Sequence, residues 1–255
     1  MNILIRVVLL SLALFGAETA MLGWSLFTVL SALLTAITLV LVRDGFVART
    51  RLAGFVTTAW MYWGLSYVSN LIEAVYFKVI AIKAALSGTL VGLVMALAVA
   101  GLLEALTMTE APSPMRAVTL ARGIWWRVPV LAFAFFVIYC AAGAAIYPWV
   151  ASFYAHQQLP TLTELLRLQI CRGVLDLACI YPVFSQWRRS RGRALWMSAC
   201  VFTVLCGWAP LLLPNQFMPG PIRLAHAMEM GASGIVFGML AAVVLLKQVR
   251  STSSS

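Results

Sequence analysis

The chain has 255 residues, of which 63% are apolar and 10% are charged, and it carries a formal net charge of +10. Uncharged apolar runs of about twenty residues recur from end to end, and a run of that length spans the hydrocarbon core of a bilayer as a helix. The composition therefore excludes a soluble globular protein. An unbroken run such as Ala84 to Ala105 also excludes the alternating pattern of barrel strands.

Eight apolar segments in chain order predict an all-α, polytopic transmembrane helical bundle that forms one integral membrane domain over residues 1–255. The predicted spans are Ile3–Ala17, Leu22–Val42, Phe55–Phe77, Ala84–Leu106, Ile124–Tyr147, Leu165–Trp187, Ala194–Leu213 and Leu224–Leu246. Because only the short Gly16–Gly23 segment separates the first two spans, a single bent hairpin is the alternative there. If Met1–Ala20 is instead a cleaved signal peptide, seven spans remain with the same orientation.

The distribution of basic residues predicts the orientation, because cytoplasmic loops retain Lys and Arg. Thirteen of the 18 basic residues fall on one side of the predicted bundle. They are Arg6, Arg43, Arg49, Arg51, Arg116, Arg122, Arg127, Arg188, Arg189, Arg191, Arg193, Lys247 and Arg250. Lys78, Lys83 and Arg223 fall on the opposite side, while Arg167 and Arg172 fall within or beside span six.

Both termini are therefore predicted to be cytoplasmic, in a plasma membrane that would be the inner membrane of a prokaryote. The positive net charge then reflects topology and contact with anionic lipid. A lipid bilayer is accordingly the expected partner, and no nucleic-acid partner is expected.

Two connecting segments are long enough to be considered separately. Thr107–Gly123, which contains an Ala-Pro-Ser-Pro stretch, is predicted to be a cytoplasmic loop or a short interfacial helix. Pro148–Thr163 is predicted to be the longest external loop. Its residues Trp149, Phe153 and Tyr154 fit an interfacial aromatic belt, and a lid over an external opening is the alternative.

The five cysteines all lie within predicted spans, at Cys140, Cys171, Cys179, Cys200 and Cys206. No pair has the close spacing of zinc ligands. We therefore interpret them as small apolar packing residues, and neither a metal nor another cofactor is expected.

Ionisable residues inside the predicted spans are the informative feature, because a charge in the membrane is costly unless it is paired or hydrated. The candidate binding residues are Asn70 and Glu73 in span three, Arg172 and Asp176 in span six, and Arg223, His226 and Glu229 in span eight. Helical spacing places the residues of each span on one face. We therefore predict that the three faces meet around a polar pocket that opens outward. Glu18, at the end of span one, is a further candidate.

Structural ion pairs are the alternative interpretation of these residues, because such pairs hold helices together without any ligand. The pairs expected at helical spacing are Arg172 with Asp176, His226 with Glu229, and Arg167 with Glu164. The number of ionisable groups at similar depth favours the pocket. Glu104, near the inner end of span four, is expected to reach the cytoplasmic interface.

The segment Gly231-Ala232-Ser233-Gly234 resembles the Gly-x-Ser-Gly segment that bears the nucleophile of rhomboid intramembrane proteases. The resemblance implies a serine hydrolase within the membrane. In that family a His on a later helix activates the Ser, whereas here His226 precedes Ser233 on the same span. Because a nucleophile needs a base within reach, we interpret the segment as helix packing.

Three hypotheses on function fit these features. The first is a carrier or channel-like protein whose pocket binds a small polar or anionic solute, with Arg172 and Arg223 as anion contacts. The second is an intramembrane hydrolase or lipid-modifying enzyme that uses His226 with Glu229 or Glu73 as general base. The third is a non-catalytic subunit or assembly factor that pairs with another membrane protein. The lack of a soluble domain and of any complete motif favours the first and the third.

The orientation is testable by labelling single cysteines in an otherwise cysteine-free variant. We expect Arg189→Cys and Ser253→Cys to react only from the cytoplasmic side, and Gln157→Cys and Asn215→Cys only from outside, because the basic loops stay in the cytoplasm. External reaction at position 253 together with internal reaction at position 157 would reverse the whole topology.

Overall fold

A computed structural model describes residues 1–107, 118–155, 159–214 and 218–248. Within these ranges the chain forms eight long helical segments. In chain order they are α1 (Ile3–Leu22), α2 (Leu26–Gly45), α3 (51–76), α4 (Ile82–Leu106), α5 (Ile124–Tyr154), α6 (Leu162–Ser185), α7 (Arg191–Leu212) and α8 (Gly220–Leu245). Seven of these described helices, all but α3, are long and apolar enough to cross a membrane. The predicted all-α class is confirmed at that level.

The helix α3 has the length of its neighbours but a more polar composition. Its central residues include Trp60, Tyr62, Ser66 and Asn70, which lower its mean hydropathy. It nevertheless packs along α4 and touches α6. The helix thus has one face packed against its neighbours, where polar side chains such as Ser69 find protein partners, and another face that is exposed at Leu52 and Val56.

The turn between α1 and α2 shows that these helices are separate elements. The helix α1 continues five residues beyond its predicted end and stops where Gly23 adopts a φ of 85°, a conformation that glycine tolerates. The next helix begins at once, with a capping box between Ser25 and Thr28. Arg6, expected ahead of the first span, lies within α1 and is buried.

The predicted external loop Pro148–Thr163 is wrong over its first half. The helix α5 runs through Pro148 and ends at Tyr154. An apolar environment favours the longer helix, because backbone N–H and C=O groups outside a helix would find few hydrogen-bond partners there. Trp149 is exposed on the helix, whereas Phe153 packs inside the bundle. His156, Gln157 and Gln158 lie outside the described residues.

One end of the bundle gathers the segments that carry the predicted cytoplasmic arginines, and we call it the basic end. Strand β1 (Val118–Leu120) pairs there in antiparallel register with β2 (Leu246–Gln248), so the end of the segment that was predicted to be a loop or a short interfacial helix forms a strand. Residues 108–117, with the Ala-Pro-Ser-Pro stretch, lie outside the described residues.

Ion pairs reinforce the basic end. Glu104 is 6% exposed and forms a two-point contact with Arg43, in which Arg43 Nη2 lies 3.0 Å from Glu104 Oε2. Glu104, expected near the cytoplasmic interface, thus lies at the basic end and is held there by the partly buried guanidinium of Arg43. A second pair joins Arg189 to Asp44, with Nη2 and Oδ2 3.3 Å apart.

The helices α7 and α8 meet along a seam of glycines. A Cβ atom on Gly238 would lie 2.5 Å from the Ser198 carbonyl oxygen, and one on Gly234 would lie 2.8 Å from the Thr203 backbone. No side chain fits between these two backbones at those points. The spacing of the two glycines is the small-residue pattern of close helix contacts in membranes, as the Gly-rich segment predicts.

This seam predicts a difference between two glycine substitutions. Gly238→Ala should lower the free energy of unfolding by about 1–3 kcal/mol, because the added methyl group must push two backbones apart. Gly16→Ala is the matched control, since Gly16 is also helical and no atom lies within 4 Å of its added Cβ. Thermal unfolding in detergent measures both variants, and equal melting temperatures would contradict the seam.

Candidate binding cavity

A cavity of about 480 Å³ lies among α3, α5, α7 and α8, at the end of the bundle opposite the basic end. Its lining includes Asn70, Glu73 and Phe77 of α3, Tyr139, Phe153 and Tyr154 of α5, Cys206, Pro210 and Leu211 of α7, and His226, Glu229 and Met230 of α8, with Lys78 and Met218 beside them. Four of the seven predicted binding residues therefore line the same cavity, namely Asn70, Glu73, His226 and Glu229. Most of the remaining lining is aromatic or aliphatic.

One side of the cavity carries a chain of three polar groups. Glu229 is 5% exposed, and its Oε2 lies 2.7 Å from Nδ1 of His226. The other ring nitrogen of His226, Nε2, lies 2.7 Å from the Tyr154 hydroxyl. The expected His226 and Glu229 pair is thus present, and Tyr154 extends it across to α5. Both ring nitrogens of the imidazole are occupied.

Glu73 also lines the cavity, and it forms an ion pair with Arg172, whose side chain lies outside the cavity lining. Arg172 Nη1 lies 2.8 Å from Glu73 Oε2, and the Arg172 side chain is 1% exposed. Arg172 also donates to Gln169 Oε1 at 3.1 Å and to Ser69 Oγ at 3.2 Å. These contacts join α6 to α3, and they place the guanidinium behind the cavity wall.

Asp176 departs from the expected pairing. Arg172 forms its ion pair with Glu73 on α3 rather than with Asp176 on its own helix, because its long side chain reaches across the helix interface. Asp176 is 1% exposed, and its carboxylate lies within reach of Ser69 and of the charge of Arg172 without forming a direct ion pair. It lies outside the cavity lining.

Two π-helical turns shape the region around the cavity, and no sequence pattern predicted them. They occur at Gly64–Val68 in α3 and at Val204–Trp208 in α7. In α3 the Asn70 amide donates to the carbonyls of Leu65 and Ser66, both at 3.2 Å. Its amide nitrogen thus satisfies two backbone carbonyls of the π turn. Such turns often lie at functional sites. In α7 the turn brings Cys206 to the cavity wall.

Three other sequence expectations fall elsewhere in the bundle. Arg223 donates to the Leu213 carbonyl at 3.3 Å and lies over the Phe27 ring, away from the described cavity lining. Glu18 is buried and accepts a hydrogen bond from Ser31. Glu164 caps its own helix at Thr161 instead of pairing with Arg167, because a helix N-terminus offers unpaired amides.

Ser233 of the rhomboid-like segment has no base beside it. Its hydroxyl donates to the carbonyl of Glu229 at 2.8 Å, within its own helix. His226, the histidine on the same helix, instead contacts Glu229 and Tyr154. The two residues therefore do not form a nucleophile and base pair.

Sequence reasoning missed Tyr139, Tyr154 and Cys206 as lining residues. Tyr154 falls in the predicted external loop, and the apolar face of α5 carries no periodic polar signal that would have singled out Tyr139.

Comparison of the chain with known protein families, curated proteins and solved structures returned no match. Within the described part of the chain, no group of three or more His, Cys, Asp or Glu side chains is arranged to hold a metal ion.

The Glu73 and Arg172 contact predicts a marked loss of stability on neutralising one partner. Glu73→Gln removes the direct ion-pair partner of the buried guanidinium and should cost on the order of 3 kcal/mol. Asp176→Asn is the matched comparison, because that carboxylate lies near Arg172 but forms no direct ion pair with it. The melting temperature in detergent should fall much further for Glu73→Gln.

A double variant separates the pair from other effects of the substitution. Glu73→Gln combined with Arg172→Met removes both charges and should recover part of the lost stability. If the double variant is as unstable as the sum of the single variants, the two side chains do not interact energetically.

Proposed function

We propose that this is an integral membrane carrier or channel-like protein whose cavity binds a small polar solute. The observation that carries the proposal is the cavity itself. Its volume of about 480 Å³ falls within the usual range of small-molecule sites, roughly 300–1,000 Å³. Its walls also have the composition of such sites, in which a few polar groups converge on a largely apolar surface.

The proposal includes eight membrane spans, with both termini in the cytoplasm of a cell whose plasma or inner membrane holds the protein. Support for the eighth span comes from α3, which runs alongside α4 for its length. Support for the orientation comes from the basic end, where Arg43, Arg189 and the β1–β2 ribbon lie together. The cavity lies at the other end, so it would open outward.

The walls favour a polar over an anionic solute. Neither arginine that was expected to contact an anion is among the described lining residues, because Arg172 is turned to Glu73 and Arg223 to Leu213. The walls instead carry the carboxyl groups of Glu73 and Glu229. An anion in the cavity would meet the carboxyl group of Glu229 directly, while Glu73 is already paired with Arg172.

The alternatives have less support from the contacts. A hydrolase with Ser233 as nucleophile needs a base beside that hydroxyl, whereas Ser233 bonds to its own helix and His226 contacts Glu229 and Tyr154. An assembly factor needs charged groups that face a partner. Here Arg172, Glu73 and Glu229 are paired within the chain.

Two methionines on α8 offer a test of whether the cavity holds water. Met230 lines the cavity, whereas Met228, two residues away, is 55% exposed on the outside of the bundle. In a cysteine-free variant reconstituted in vesicles, Met230→Cys should react with sulfonatoethyl or trimethylammonioethyl methanethiosulfonate. The lipid-facing Met228→Cys should react at least about tenfold more slowly, since these polar reagents do not enter hydrocarbon.

Sidedness completes the test. Met230→Cys should react when the reagent is added to the outer side and not when it is added to the cytoplasmic side. Leu211→Cys, on the α7 wall, should behave in the same way. If neither cavity cysteine reacts from the outside in folded protein, the cavity is not an outward solute site and the proposed function is wrong.

A further inference from the structure

We infer that the cavity selects an organic cation, with Glu229 as the counter-ion of its positive group and the aromatic walls as the contact for its apolar body. The inference rests on the proposed function, since it names the solute class for the same cavity. It departs from the anionic solute that the two intramembrane arginines suggested.

The first step concerns the charge of Glu229. His226 Nδ1 lies 2.7 Å from Glu229 Oε2, and His226 Nε2 lies 2.7 Å from the Tyr154 hydroxyl. Both contacts are satisfied when Nδ1–H donates to the carboxylate and Nε2 accepts from the hydroxyl, an arrangement that a neutral imidazole provides. In the proposed site Glu229, which is 5% exposed at the cavity wall, supplies the negative charge for the cation.

The second step concerns the space around this carboxylate. The position that a Cβ atom on Gly143 would occupy lies 3.3 Å from Glu229 Oε1. The glycine thus leaves room for the carboxylate between α8 and α5. Oε2 is engaged by His226, Oε1 lies toward Gly143 of α5, and Glu229 itself lines the cavity. A bound ammonium group would complete the coordination of this carboxylate.

The third step concerns the other charges at the cavity. Glu73 is neutralised from behind by Arg172, whose guanidinium is buried outside the lining. Lys78 is exposed, and it lies two residues beyond the end of α3 at Tyr76. It therefore lies nearer the surface than the paired Glu229. The arrangement leaves a carboxylate in the interior and the lysine near the opening.

The fourth step concerns the rest of the walls. Phe77, Phe153, Tyr139 and Tyr154 surround the same volume as Glu229. The faces of aromatic rings attract cations electrostatically and also bury apolar groups. These walls match a solute that joins an ammonium group to an aromatic or aliphatic body. They provide few polar groups to replace the water around a hydrated inorganic ion.

Three probes with one body and different charges test the inference. They are phenethylammonium, phenethyl alcohol and hydrocinnamate, which share a phenyl ring on a short chain and carry a positive, zero and negative charge. Each is added to the Met230→Cys variant in vesicles before a limiting amount of methanethiosulfonate reagent. Protection of the cysteine from labelling then reports occupancy of the cavity. Leu211→Cys serves as a second reporter.

The cation should protect at a concentration at least about tenfold lower than the alcohol or the carboxylate, because one partly desolvated ion pair is worth at least 1.4 kcal/mol. Adding Glu229→Gln, which keeps the side-chain volume, should remove this preference and leave protection by the alcohol unchanged. The matched control Asp176→Asn removes a carboxylate outside the lining and should leave the preference intact.

The possible failures are distinct. If the reporter cysteines are not labelled without any probe, the proposed function fails. If they are labelled but the three probes protect equally, or hydrocinnamate protects best, the cavity stands and the inference of a cation is overturned. A cation preference that survives Glu229→Gln would overturn the assignment of the counter-ion.

Discussion

The contact between Arg172 and Glu73 is the interaction on which the arrangement of the cavity depends. A guanidinium that is 1% exposed inside an apolar bundle carries a large desolvation cost unless an opposite charge and further acceptors surround it. Glu73 supplies the charge, while Gln169 and Ser69 supply acceptors from α6 and α3. The two helices are thereby fixed in register. Because Glu73 also lines the cavity, this structural pair determines where one cavity wall stands.

The π turns in α3 and α7 are the second constraint. A π turn adds a residue to the helix and leaves backbone carbonyls to be satisfied. In α3 the side-chain amide nitrogen of Asn70 donates to the carbonyls of Leu65 and Ser66. Asn70 was predicted to be a binding residue, but its NH2 group is thus used for backbone hydrogen bonds. In α7 the turn brings Cys206 to the cavity wall. Both turns adjust the direction of side chains on cavity helices without breaking those helices.

The helix content was predictable because bilayer length and backbone satisfaction leave few alternatives for runs of apolar residues. The grouping of Glu73, His226 and Glu229 followed from the same cost of polar groups in lipid. The choice of partners did not follow, since Arg172 has Asp176 one turn away yet meets Glu73 on another helix. Side-chain reach across a helix interface depends on helix rotation. Spacing along one helix does not specify that rotation.

The glycine seam between α7 and α8 explains why the cavity is closed toward the basic end. The cavity lining on α8 ends at Met230, and from Gly234 onward a Cβ atom would collide with the backbone of α7. Between these levels Ser233 lies beside a void of only about 10 Å³, roughly the space of one water molecule. The Ser233 hydroxyl bonds to its own helix and so needs no space for a ligand. The segment that resembles a protease nucleophile therefore lies just beyond the cavity lining, where the backbones of α7 and α8 come into close contact.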